Sequence, residues 1–244
     1  MNDQKKILLA LQFWGDRKTG DWADAMRLAR FIADLQPEFS ETVAFQFCAR
    51  FDSKPDPRTV DYVTEKFETE VFVSPRKHAV GWPYGCNELW SSVVMDLHNR
   101  RSAGELKDIE CAFTFEPDCV PLRKGWADTL HKTWVDTGRK TVLGAYSEVG
   151  PKKWGHINGN MVIDVDLYRR VPAVLGTAPQ NAWDMAMAPA FKAAGWEPSD
   201  VIANWYRRTA VPDTEMAALL ETPAVVLHGV KDDSAFNFAK KLLG

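Results

Sequence analysis

Nothing in the chain approaches the roughly 18 to 20 consecutive apolar residues that a bilayer-spanning helix needs. Behind Met1-Asn2-Asp3-Gln4-Lys5-Lys6 comes only a short apolar stretch, Ile7 to Leu11, with no small-residue cleavage site. It reads as a first strand and not as a signal peptide, so the expected location is the cytoplasm. Cysteine is scarce. Cys48, Cys86, Cys111 and Cys119 form no CxxC pair and no Cys/His spacing suited to zinc. Cys48 and Cys111 lie in apolar runs, where a free thiol behaves as a small hydrophobe, and no disulfide framework is expected. A basic excess is missing as well: 30 Lys and Arg stand against 33 Asp and Glu, a net charge of -3. This excludes a globally basic nucleic-acid binder and leaves a local basic surface open. The loop Gly15-Asp16-Arg17-Lys18-Thr19-Gly20 is not a P-loop, because Lys18-Thr19 precedes the second glycine. There is no internal repeat, low-complexity tract or long linker.

What is present is material for one large core: 244 residues, 45% of them hydrophobic. That suits a single α/β domain better than two small ones. Lys6–Phe13, Thr42–Cys48, Glu70–Val73 and Ile109–Phe115 read as strands. Helices are expected over Trp22–Leu35, capped by Asp21, over Thr59–Phe67, and after Gly85, where Leu89, Val93 and Leu97 form a stripe. The alternation predicts a mostly parallel sheet with helices on both faces and ligands at the carboxyl ends of the strands. Asp16, Asp52 and Asp118 fall at or just after those ends. The second half is less regular. Gly125–Val135 and Ala182–Ala194 read as helices. Thr141–Tyr146 and Asn160–Val165 read as strands around a loop holding Gly150 to Gly155, and Ala224–Leu227 as a last strand that delivers His228.

The strongest chemical signal is Glu116-Pro117-Asp118 at the tip of an apolar strand. Two carboxylates there are costly unless something neutralises them. A hard divalent ion does so and also takes diphosphate oxygens as ligands. The alternative is an ordinary solvated turn.

In context the segment resembles the DxD-type motif of GT-A glycosyltransferases, with Glu in the first position and Pro121 and Gly125-Trp126 following. The resemblance implies a GT-A fold, a nucleotide-sugar-binding half over residues 1–122, and an acceptor-binding half over 123–244. It also implies Mn²⁺ or Mg²⁺ on Asp118, with Glu116 at the metal, at a metal-bound water or at the ribose. Three further stretches look like family elements. Gly85-Cys86-Asn87 places Asn87 near the donor, or as a helix cap. Asn181-Ala182-Trp183-Asp184 opens a helix beside the acceptor, with Asp184 either a cap or the general base. His228-Gly229-Val230-Lys231 looks like a C-terminal His-Gly-x-Lys element, in which His228 completes the metal set and Lys231 meets the diphosphate.

Asp16 and Arg17 are candidates for donor contact, and Asp52 is a weaker one. His156, Asn158, Asn160, Trp154 and Trp183 are candidates for the acceptor, although Asn158-Gly159 is also a turn signal. The resulting expectation is transfer of a sugar, from a UDP-sugar by preference, to a hydroxyl. Lys152-Lys153-Trp154 and Arg207-Arg208 beside Trp205-Tyr206 suggest a hydroxymethylated base in DNA as acceptor, as with small phage enzymes. Saccharide, protein or small-molecule acceptors, a sugar nucleotidyltransferase and a non-catalytic binding protein are the alternatives. Stereochemistry and oligomeric state do not follow from the sequence.

Overall fold

Strand β1 (Lys6–Phe13) lies at the centre of the fold, and its alternation explains the layers. Ile7, Leu9, Leu11 and Phe13 enter one hydrophobic core, while Leu8 and Ala10 enter a second. A strand whose two faces are both buried needs apolar residues at every position, as Ile7 to Leu11 supplies. The computed structural model describes residues 5–18, 20–77, 81–149, 154–175 and 181–244.

Around β1 lie β2 (Val43–Ala49), β3 (Glu68–Val73) and β4 (Ile109–Phe115), all mutually parallel. β4 then pairs antiparallel with β7 (Trp154–Asp164), which pairs antiparallel with β6 (Val142–Val149). β8 (Trp196–Pro198) closes the edge, so the order is β3-β2-β1-β4-β7-β6-β8. The sheet is mostly parallel, as expected: of its strands β7 alone runs against its neighbours, and β8 is again parallel to β6. The hairpin of β6 and β7 makes the whole sheet mixed. A second sheet joins β5 (Val120–Pro121), β10 (Val226–Val230) and β9 (Ile202–Arg208). Because β4 pairs with β7 and β5 with β10, the segments 1–122 and 123–244 share both sheets within one domain.

On one side of the main sheet, α1 (Trp22–Asp34), α4 (Trp126–Asp136), α7 (Asp213–Leu219) and α8 (Ser234–Leu243) contribute to the first core. On the other side, α3 (Tyr84–Ala103), α5 (Leu167–Arg170) and α6 (Trp183–Ala194) contribute to the second. Leu28, Ile32 and Leu35, and likewise Leu89, Val93 and Leu97, are buried as their spacing requires. In the second core Trp90 stacks on Trp183, with ring centroids 3.6 Å apart, fixing the entry of α6 against α3.

Four local expectations are corrected. α2 runs Pro57–Thr64, with Pro57 at its start, and ends before Phe67. Asp21 precedes α1 but makes no side-chain cap bond; its carboxylate accepts from the Trp14 amide at 2.7 Å, closing the loop after β1. Asn158-Gly159 is no turn: β7 begins at Trp154, so His156, Asn158 and Asn160 lie inside a strand and not ahead of one. His228 likewise lies inside the last strand, β10, and not just past its end.

Candidate metal centre and cleft

The ends of β1, β4, β7 and β10 and the start of α6 line one cleft of about 930 Å³, with Phe13, Glu116, Asn160, His228 and Asp184 in its wall. This is the size of an ordinary small-molecule site.

Glu116 and Asp118 sit where β4 turns into β5. The turn is held from inside. Asn160 of β7 accepts the Glu116 amide on its Oδ1 at 2.8 Å, and the Cys119 thiol approaches the same oxygen at 3.1 Å. The Asn160 amide group donates to Asn158 Oδ1 at 3.1 Å, which fixes which end of Asn160 faces the turn. His228 reaches the same place from β10. One ligand atom from each of Glu116, Asp118 and His228 lies within 4.8 Å of the others. The Nε2 of His228 is 3.5 Å from Asp118 Oδ1 and 3.8 Å from Glu116 Oε2.

The orientation of the His228 ring follows from its other nitrogen. Nδ1 lies 3.0 Å from Asn204 Oδ1, and the Asn204 amide donates to Ser147 Oγ at 3.0 Å. With the Asn204 oxygen facing the ring, Nδ1 must carry the proton. In the neutral ring Nε2 then presents a lone pair, buried and without a partner, to two carboxylates. Three acceptors aimed at one point repel each other unless a cation lies between them. The donor set is the kind Mn²⁺ accepts, softer than an all-oxygen Mg²⁺ site. The buried Nε2 and the Nδ1–Asn204 bond fit a metal-ligating histidine.

Lys231 offsets part of the charge: its Nζ lies 2.5 Å from Asp118 Oδ2. Burial opposes charge on Lys231, yet Asp118 and Glu116 raise its pKa above the usual lysine value. For Glu116, burial pushes the pKa up, and the His228 ring when protonated, Lys231 and Asn160 together more than reverse it, leaving it below the usual glutamate value. Its side chain is nonetheless half open to the cleft. Across the cleft, desolvation, with Glu116 and Asp118 as further causes, drives Asp21 up to about 7.

Position 229 shapes the approach of β10. Gly229 has φ +95°, and a Cβ there would meet the Trp205 carbonyl at 2.9 Å. Only glycine lets β10 pass that close to β9 between His228 and Lys231.

The other expected site residues divide. Asn87 is buried in the first turn of α3. It caps no end of its own helix but clasps α6: its amide donates to Asn181 O at 3.0 Å, and its Oδ1 accepts from Trp183 N at 2.8 Å. Trp183 is largely core, stacked on Trp90. Asp184 lies at the start of α6, buried, facing the cleft and His156. Asp16 and Arg17 do not line the cleft; Asp16 is exposed, and Arg17 pairs with Asp56 at 3.4 Å. Asp52 is bound to Arg50. The side chains of Trp154 and Arg207 lie outside the described residues, as do Lys152 and Lys153 entirely. Sequence reasoning missed Asn204 and Ser147, which no motif marks. Only the pairing of β9 with β10 puts Asn204 opposite His228. It also missed Asp21 as a cleft residue, having read it as a cap.

Among the described residues no helix is long and apolar enough to cross a membrane. No protein-family model matches the chain, and no curated protein matches it.

Proposed function

We propose that this chain is a metal-dependent glycosyltransferase of the GT-A type, moving a sugar from a nucleotide donor, by preference a UDP-sugar, to a hydroxyl acceptor. The observation that carries the reading is the buried, unpartnered Nε2 of His228 converging with Glu116 and Asp118 at the strand ends beside Lys231. Asp118, Glu116 and His228 would hold Mn²⁺ or Mg²⁺, which when bound supplies positive charge for the diphosphate oxygens. Lys231, tethered to Asp118, supports the same oxygens as negative charge builds on the leaving diphosphate. Asn204 and Ser147 hold the His228 ring, and Asn160 holds the Glu116 turn. Trp14, at the cleft edge with the Arg50 guanidinium 5.0 Å from its ring centroid, offers a flat surface for a base.

The charge of the cleft bears on the acceptor. Asp24, Glu148, Asp232 and Asp233 join the Glu116–Asp118 pair in its wall, against Arg27 and Lys231. Such a wall repels a polyanion. Arg208, one of the basic residues behind the DNA expectation, is paired with Glu215 at 2.5 Å and lies over Trp205. The reading therefore favours an uncharged hydroxyl acceptor, such as a saccharide or small molecule, over DNA. The nucleotidyltransferase alternative is disfavoured by the loop after β1, which brings no basic side chain into the cleft among the described residues.

A product assay tests the assignment. Incubation with UDP-sugars and Mn²⁺ should release UDP, while UTP with a sugar phosphate should release no diphosphate. The reverse pattern would transfer the site to nucleotidyl transfer.

A further inference from the structure

A second arrangement in the cleft, apart from the three metal-site residues, concerns Asp184 and His156. Asp184, with its side chain only 11% exposed, has both carboxylate oxygens engaged. Oδ1 accepts from the Met185 amide at 2.9 Å and Oδ2 from the Gly159 amide at 3.0 Å. The approach of β7 that allows the second bond depends on Gly159, where a Cβ would lie 3.1 Å from the Trp183 ring and 3.6 Å from Asp184 Oδ2. A carboxylate held by two backbone amides at a helix start has both oxygens committed and is well placed to orient a neighbour, although burial raises the Asp184 pKa above the usual aspartate value.

The neighbour is His156. It stands on β7 opposite Ser147, 5% exposed, in the cleft wall. Its Nε2 lies 3.7 Å from Asp184 Oδ2, while its Nδ1 is buried with no hydrogen-bond partner. Buried polar atoms are nearly always paired, and an unpaired one in a cleft wall marks where a ligand group belongs. Catalytic contacts of this kind are commonly long before substrate tightens them. The charged groups around the ring are Asp184 on α6 and, farther along the same wall, Glu148 on β6 and Glu116 at the end of β4.

We infer that His156, oriented by Asp184, is the group that takes the proton from the acceptor hydroxyl, and that Asp184 is its positioning residue and not the base. The inference rests on the glycosyl-transfer reading. As the acceptor oxygen forms its bond to the anomeric carbon, the bond from that carbon to the donor diphosphate breaks, and both its electrons leave with the diphosphate. The hydroxyl proton passes to His156 Nδ1, whose lone pair the Nε2–H···Asp184 contact keeps free. The same division between an orienting carboxylate and a proton-carrying imidazole operates in acyl transfer. A direct displacement of this kind inverts the anomeric centre.

The test has two arms on the full chain. In ¹⁵N-histidine NMR, His156 should show the Nε2–H tautomer, and Asp184→Asn should abolish that preference. An Nδ1–H tautomer in the wild type, or a tautomer indifferent to Asp184→Asn, would overturn the inference. In the second arm, hydrolysis of UDP-glucose with Mn²⁺ is followed by UDP release, water standing in for the acceptor. His156→Gln should lower the rate at least about 100-fold, with Asp184→Asn lowering it too and Mn²⁺·UDP affinity within about twofold of wild type. Wild-type and His156→Gln rates that cannot be told apart would overturn it. Loss of Mn²⁺·UDP binding by the wild type would instead sink the donor-site reading beneath it, whatever the tautomer.

Discussion

The 3.0 Å contact between His228 Nδ1 and Asn204 Oδ1 decides which nitrogen of the ring faces Glu116 and Asp118. It converts a histidine in an apolar strand into a ligand with its lone pair directed at two carboxylates.

Asn204→Leu should therefore weaken Mn²⁺ binding by about 10- to 100-fold, because the ring loses the partner that sets its tautomer. Titration calorimetry of Mn²⁺ into wild type and variant measures this. Equal affinities would show that Asn204 has no such role.

Removing the side chain that holds the Glu116 turn should act in the same direction. Asn160→Ala leaves the Glu116 amide without its acceptor and costs about 1–3 kcal/mol of stability. The accompanying loss of Mn²⁺ affinity should exceed that of a control such as Thr114→Ser, a buried position whose hydroxyl the replacement keeps. Urea unfolding and Mn²⁺ titration of the pair check both parts.

Asp21 gives a pH dependence with a definite sign. Its folded-state value of about 7 stands above the ordinary aspartate value of 3.8, so the folded protein holds a proton that the unfolded chain releases first. Stability is then favoured below pH 4 and falls as pH rises from about 4 to 7, with no further change from this group above that window. The upper bound is about 4 kcal/mol, at about 1.36 kcal/mol per pKa unit, less whatever the solvent at the cleft screens. Asp21→Asn should flatten the metal-free stability profile between pH 4 and 7 and still accept the Trp14 amide. A slope unchanged by the substitution would show that Asp21 ionises normally.

Gly229→Ala asks for φ +95° and a Cβ 2.9 Å from the Trp205 carbonyl. The expected loss is about 1–3 kcal/mol in urea unfolding, with Mn²⁺ affinity falling as His228 shifts. A neutral substitution would mean that β10 can draw away from β9 without disturbing the site.

The first half of the fold was legible because β1, β2 and β4 are uniform apolar runs, which have few ways to be placed except in a buried parallel sheet. β7 was harder. His156, Asn158, Gly159 and Asn160 carry a turn signature, yet they extend as a strand because Asn160 bonds the Glu116 turn and Gly159 bonds Asp184. Those partners lie 25 and 44 residues away, and no local pattern announces them. The same holds for the site. Glu116 and Asp118 stood out at a strand end, the resemblance to GT-A motifs added His228 and Lys231, and the structure brings the four together. Asp16 and Arg17, chosen by the same rule, face elsewhere because the bridge between Gly15 and Gly20 and the Asp21–Trp14 bond turn their loop away from the cleft. Asn204 and Ser147 became visible only when β9 was laid against β10 and β6.

The most direct measurement is thermal unfolding with UDP, GDP, CDP and ADP, each with and without Mn²⁺, on wild type and on Asp118→Asn. A nucleotide present at about 100 times its Kd adds about 2.7 kcal/mol, which for a chain of this length raises Tm by several degrees. The expected result is a rise with UDP that needs both Mn²⁺ and Asp118. No rise with any nucleotide, or a rise indifferent to Mn²⁺ and to Asp118→Asn, would contradict it and return Glu116-Pro117-Asp118 to an ordinary turn.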